Sequence, residues 1–146
     1  PVPDDGQALP LDTCFTLREG QDLTLISWGA ALKETLDAAV LLADEGVDAE
    51  VIDVATLKPL DTETLIASVR KTGRCVIVHE VARSFGVGAE IAALLHEQAW
   101  QALRAPVGRV TGFDCVIPYA RQELAYLPDV QSICQAARAT LKGEAA

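Results

Sequence analysis

The sequence predicts an α/β fold, a largely parallel sheet with helices on both faces. Three observations carry this. Short runs of β-formers alternate with segments of about 10–18 residues whose apolar positions recur at helical spacing. The run Leu23-Thr24-Leu25-Ile26-Ser27 is mostly apolar, as expected of a strand covered on both sides. Residues 74–90 read as a strand, a loop with two glycines and the opening of a long helix, the repeating unit of such folds.

The elements follow in order. Residues 1–12, with three prolines and two adjacent aspartates, read as the remnant of an interdomain linker. A first strand is expected over 13–19, a tight turn at Gly20-Gln21-Asp22, and a second strand over 23–27. The helix that follows Trp28-Gly29-Ala30 is expected to bury Leu32, Leu36, Val40 and Ala43, with Ala39 beside them, and to end at Gly46. A third strand is expected over 49–54. Pro59 interrupts regular structure, and Asp61 is placed to cap a helix over 62–71 that turns Leu65, Ile66 and Val69 inward. Gly73 ends it, and a fourth strand over 74–79 leads to a helix over 86–103 burying Ile91, Leu94, Leu95, Ala99 and Ala102. A short last strand over 107–111 and an irregular stretch over 112–128 precede a terminal helix opening at Pro128-Asp129. Its inward stripe is Val130, Ile133, Cys134, Ala137 and Leu141. The domain is expected over 13–142, with a disordered tail over 143–146.

Length allows one domain with a real core. The formal charge of −9 argues against nucleic acid and anionic membrane surfaces, and no apolar stretch is long enough to span a bilayer. An acidic balance suits a basic protein partner. Cys14, Cys75, Cys115 and Cys134 are scattered, without a C-x-x-C pair, so buried thiols in a reducing, cytoplasmic setting are expected and zinc is not. A chain opening on Pro1 is expected to be part of a longer one.

In such a sheet one change of winding direction opens a crevice beyond the carboxyl ends of two strands. If these are the second and fourth, Ser27-Trp28-Gly29 and His79-Glu80 lie side by side at its lip. His79 and Glu80 could form a proton-transfer pair, but neighbours on a strand point to opposite faces, so a structural or interface role is the stronger expectation. Gly86 and Gly88 at a helix start could hold an anion through backbone N–H groups. Without a fuller glycine pattern, close helix–strand packing explains them better. Arg83 could pair with an acid, or simply be solvated. No nucleophile elbow, phosphate loop or metal cluster is present in the sequence, so no catalytic, cofactor-binding or metal-ligating residue is assigned.

Several motifs in sequence order carry a resemblance: Glu50-Val51-Ile52-Asp53, Thr56-Leu57-Lys58-Pro59-Leu60-Asp61, Val78-His79-Glu80, Gly86-Val87-Gly88-Ala89-Glu90, Ala105-Pro106-Val107, Arg109-Val110-Thr111-Gly112 and Ile117-Pro118-Tyr119. Together they resemble the C-terminal, transketolase-like domain of the beta subunit of thiamine-diphosphate-dependent 2-oxo acid dehydrogenases, the first components of pyruvate, branched-chain and acetoin dehydrogenase complexes. The resemblance implies a three-layer α/β/α sandwich on a five-stranded mixed sheet, in order 1-3-2-4-5 with strand 1 antiparallel. It implies a parent enzyme that uses thiamine diphosphate with Mg to decarboxylate a 2-oxo acid and acylate lipoyl groups, with no cofactor bound by this domain alone. It also implies partners: the alpha subunit, a second beta subunit and the basic subunit-binding domain of an acyltransferase core. Trp28, His79, Glu80, Arg83, Phe85 and Gly86 are then expected near the active site or a subunit interface, and Asp114, Tyr119 and Asp129 at a docking surface. The chain departs from the family at Ala55, where an arginine is frequent, and at Phe85-Gly86, where a double glycine is frequent. Two alternatives remain: a stand-alone flavodoxin-like module binding a nucleotide or anion, and the last domain of a transketolase- or deoxyxylulose-phosphate-synthase-type enzyme.

Overall fold

The computed structural model describes residues 6 and 8–144. Ten elements follow one another: β1 (Phe15–Arg18), β2 (Leu23–Ser27), α1 (Ala31–Asp44), β3 (Ala49–Asp53), α2 (Thr62–Thr72), β4 (Cys75–Ala82), α3 (Val87–Ala99), β5 (Gly108–Gly112), α4 (Glu123–Tyr126) and α5 (Val130–Lys142). The strands form one sheet in the order β1-β3-β2-β4-β5. Only β1 runs antiparallel, pairing Phe15 with Asp53, while β3, β2, β4 and β5 are mutually parallel. The expected α/β/α architecture and strand order are therefore present.

Alternation along the central strands divides the core into two layers. Leu25, Val51, Val76 and Val78 face α1 and α5, where they meet Ala38, Leu42, Ile133 and Ala137. Ile26, Ile52 and Ile77 face the other way, against Leu65 and Val69 of α2 and Ile91 and Leu95 of α3. Every residue of β2 is buried, as its continuous apolar run requires.

The helix ends follow the sequence chemistry. Asp61 caps α2 by accepting a hydrogen bond from the Thr64 amide at 3.1 Å, and Gly73 closes it at φ 72°. Asp129 and Ser132 form a reciprocal capping box at the start of α5. Beneath α2 lies a polar cluster that the apolar pattern does not reveal. Glu50, only 2% exposed, accepts from Ser68 Oγ at 2.5 Å and pairs with Lys71. Thr24 Oγ1 joins the cluster at 2.7 Å from Ser68 Oγ and 2.8 Å from Thr72 Oγ1.

Four expectations need correction. In α1 the buried residues are Ala31, Thr35, Ala38, Ala39 and Leu42; Leu32 and Leu36 only flank the core, and Val40 is exposed. Small residues let this helix sit close to the sheet, which rotates the larger ones to the side. β4 runs three residues past His79, because its far end still pairs with β5 at Ala82 and Gly112. α3 stops at Ala99, with Leu94 and Ala102 only partly buried. The 112–128 stretch contains the short helix α4. At the carboxyl terminus, Gly143 closes α5 at φ 81° and the Glu144 amide donates to the Ala139 carbonyl at 2.9 Å. The expectations for residues 1–5, 7 and 145–146 lie outside the described residues.

Candidate functional site

β2 and β4 are adjacent and parallel, with Ser27 opposite Val78, so their carboxyl ends do meet at one lip. The Trp28 ring stacks on His79 at a centroid distance of 5.2 Å and an interplanar angle of 12°. His79 is 1% exposed, and neither ring nitrogen has a hydrogen-bond partner among the described residues. Burial, with the nearby positive charge of Arg109, pushes its pKa below the ordinary imidazole value, which favours the neutral ring.

The two glycines of the following loop and helix press on this imidazole. A Cβ at Gly88 would lie 2.3 Å from His79 Nε2, and one at Gly86 would lie 2.8 Å from Cε1. Their backbone surface is thus occupied by the histidine ring, which does not fit a phosphate cradle. Glu80 points to the opposite layer, toward Gly29, whose added Cβ would lie 3.9 Å from Glu80 Oε1. It lines a pocket of about 340 Å³ with Ala30, Ala31, Leu124, Leu127 and Pro128 and two further acids, Glu34 and Asp129. His79 and Glu80 therefore address different sides of the sheet and share no proton.

Beyond β4 the loop is braced from both sides. Arg83 Nη1 donates to the Arg109 carbonyl at 3.0 Å, and Arg109 Nη1 donates to the Arg83 carbonyl at 3.1 Å. Ser84 donates to Asp114 twice, from its amide at 2.8 Å and its hydroxyl at 2.7 Å. These bonds hold the Asp114 carboxyl below its usual pKa. Between these ties Phe85 adopts φ 59° with its side chain fully exposed. A non-glycine residue there stores strain of about 1–2 kcal/mol. Tyr119 is 96% exposed, whereas Asp129 is engaged in capping α5.

The site residues expected from sequence thus separate. Trp28, His79 and Gly86 pack together, Arg83, Phe85 and Asp114 belong to the braced loop, and Glu80 belongs to the pocket behind. Arg109 and Ser84 were missed, since their partners come from β4–β5 pairing and the loop that follows, neither of which local sequence reveals. Among the described residues, no three His, Cys, Asp or Glu side chains converge to hold a metal ion. Nor is any helix long and apolar enough to cross a membrane. The backbone face of Gly86 and Gly88, filled by the His79 ring, does not fit the phosphates of thiamine diphosphate.

The relatives agree with this architecture. The chain is 43% identical over 141 residues to the pyruvate dehydrogenase E1 component subunit beta of Staphylococcus epidermidis, covering 97% of this chain and 43% of that protein. The corresponding Staphylococcus aureus subunit is 39% identical over the same span. The chain therefore spans less than half the length of these curated relatives. Among solved structures, a split-gene transketolase in an inactive beta4 tetramer superposes with a TM-score of 0.82 at 30% identity, covering 93% of this chain and 44% of that one. A 2-oxoglutarate:ferredoxin oxidoreductase from Magnetococcus marinus shares the fold, with a TM-score of 0.57 at 12% identity over 88% of this chain and 19% of that one. The family described as transketolase, C-terminal domain, matches residues 13–133, and with the 1-3-2-4-5 sheet beneath that match, the chain belongs to the transketolase C-terminal domain family.

Proposed function

We propose that this chain is the C-terminal domain of the beta subunit of a 2-oxo acid dehydrogenase, where it serves subunit assembly and docking rather than chemistry. The parent enzyme oxidatively decarboxylates a 2-oxo acid, pyruvate or a branched-chain one, and acylates lipoyl groups. The observation that carries this reading is the state of the sheet's carboxyl end. Its buried imidazole is consumed in packing, while Phe85, Phe113, Val116, Ile117, Tyr119 and Leu124, in the segments that follow β4 and β5, stand 61–105% exposed. Apolar exposure on that scale marks a surface meant to be covered.

Thiamine diphosphate and Mg belong, on this reading, to other domains of the parent. Residues 1–12 are the end of the linker from them, and 13–142 form the assembly domain. The partners are the alpha subunit, a second beta subunit and the basic subunit-binding domain of the acyltransferase core. Trp28, Arg83, Phe85 and Tyr119 lie at or beside subunit contacts, and the net charge of −9 suits the basic partner. Neither nucleic acid nor membrane is a partner, and the setting is cytoplasmic. The identity to pyruvate dehydrogenase beta subunits favours this assignment over a transketolase-type synthase. Isothermal titration of the 146-residue chain with thiamine diphosphate and Mg should give no binding heat, and pyruvate should not be decarboxylated. A saturable cofactor isotherm would overturn the reading.

A further inference from the structure

We propose that the loop between β4 and α3 is an acid-operated latch: the neutral ring of His79 holds it closed, and a proton on that ring releases residues 83–88 while the sheet stays folded.

The ring is the surface on which the loop and the first turn of α3 rest. A Cβ added at Gly88 would lie 2.3 Å from His79 Nε2, and one at Gly86 would lie 2.8 Å from Cε1, so both backbones touch the edge of the imidazole. Trp28 covers its face at a centroid distance of 5.2 Å. A neutral imidazole has one nitrogen to donate and one to accept. Neither finds a partner among the described residues, although the side chain is 1% exposed. An apolar ring would fill the same space without leaving polar atoms unpaired. What the histidine adds is the ability to take up a proton.

Charging the ring in place is opposed from three directions. It is cut off from water, Arg109 brings a like charge from β5, and Gly88 sets it under the amino end of α3, the positive end of the helix. No acid among the described residues offsets them. Glu80 lies across the sheet in the pocket beside α1, and Glu90 is an exposed acid in the first turn of α3. Asp114 is held by Ser84. Trp28 from β2, with Ile77 and Val81 from β4, carries no charge. The proton is therefore accepted most readily once the loop has moved off the ring and water has reached it.

The loop opens at little local cost. Gly86 gives α3 no side-chain cap, so the first-turn amides lose little when they fray. The ties from Arg83 to the Arg109 carbonyl, from Arg109 to the Arg83 carbonyl and from Ser84 to Asp114 all lie at the surface, where water replaces them. Phe85 is already fully exposed at φ 59°, so opening uncovers no apolar surface there and relieves its backbone. The β4 strand from Cys75 to His79, by contrast, is buried between two helix layers. Acid thus withdraws the fixed display of Phe85 before it unfolds the domain.

Native-state hydrogen exchange on the full chain between pH 7.5 and 5.0 tests this. The Ser84 amide, bonded to Asp114, and the Ala89 amide, bonded to the Gly86 carbonyl, report the loop, while amides of the buried strands β2 and β3 report global unfolding. Asp114 stays charged throughout, because its pKa lies below the usual carboxylate value. The loop amides should open more often than the sheet at every pH. Their opening constant should rise ~10–30-fold toward pH 5.0, the upper limit being that of an imidazole with an ordinary pKa near 6.5 charged only in the open state. His79→Gln should show no rise. Arg109→Gln should open more at pH 7.5, since its tie to the Arg83 carbonyl is lost, yet rise less in acid, since the closed ring then charges more easily. A flat opening constant in wild type overturns the latch, as do loop amides that exchange only as often as the sheet. So does an undiminished acid rise in His79→Gln or, should that chain fail to fold, in Arg109→Gln.

Discussion

Replacing Gly88 by alanine tests whether the imidazole of His79 is the floor on which α3 rests. The new Cβ would lie 2.3 Å from Nε2 and 2.5 Å from Cδ2 of His79, with Ile77 Cγ2 at 3.3 Å behind. The overlap is about 1 Å, and a buried ring stacked on Trp28 cannot swing away without opening the lip. Overpacking of this kind costs about 1–3 kcal/mol. Alanine in a helix returns up to about 0.5–1 kcal/mol relative to glycine, leaving a net loss of ~1–2 kcal/mol. With about 2.1 cal/mol/K per residue over 146 residues, each kcal/mol lowers Tm by ~3 °C. Gly88→Ala should therefore melt ~3–6 °C lower. The decisive measurement is the same substitution in a His79→Ala background, where the obstructing ring is gone. There Gly88→Ala should be neutral or slightly stabilising, giving a coupling energy of at least ~1 kcal/mol in the double-mutant cycle. Equal losses in both backgrounds would refute the packing argument.

Three further outcomes are expected. Because burial and Arg109 depress the pKa of His79, the unfolded chain takes up its proton first, near pH 6.5. Stability should fall as pH drops from about 6.5 through the lower folded pKa, by up to ~1.4 kcal/mol per pH unit. Urea midpoints should show this slope in wild type, and a His79→Gln chain with an identical slope would remove the cause. Asp129→Ala breaks the capping box of α5 and should cost ~1 kcal/mol, measured by thermal melting, whereas Asp129→Asn should recover most of it. Glu50→Ala removes the acceptor of the buried Gly20 amide and of the Ser68 hydroxyl, which keeps only Thr24 Oγ1, and should cost ~1–3 kcal/mol; an unchanged urea midpoint would mean that the cluster contributes nothing net.

The sheet was legible because β2 announces burial on both faces and because Asp61, Gly73 and Asp129 mark helix ends chemically. The order 1-3-2-4-5 was not legible in the residues themselves; it came with the resemblance, since pairing between distant strands leaves no local trace. The α1 error has a physical source. Hydropathy weights Leu32, Leu36 and Val40 above Ala38 and Ala39, yet close approach to a sheet favours the small residues, so the true face is offset from the apolar one. At the lip, alternation correctly separated His79 from Glu80. The bracing of Phe85 was out of reach because each tie joins the loop to residues about 26–30 positions away.

The same alternation explains how one strand end serves two purposes. Val76 and Val78 belong to the α1–α5 layer and Ile77 to the α2–α3 layer. His79 continues the second series and Glu80 the first. A histidine one place later would have faced the pocket, where it could be charged and solvated. At position 79 it is sealed under α3, where burial and Arg109 favour its neutral form. What it does instead is fill the space that Gly86 and Gly88 leave, and so fix where the loop between β4 and α3 begins its turn. The position of Phe85 follows from that support, while the charge of Glu80 on the other side stays available. One strand end thus turns its ring inward, against Trp28 and α3, and its carboxylate outward, toward α1 and α4.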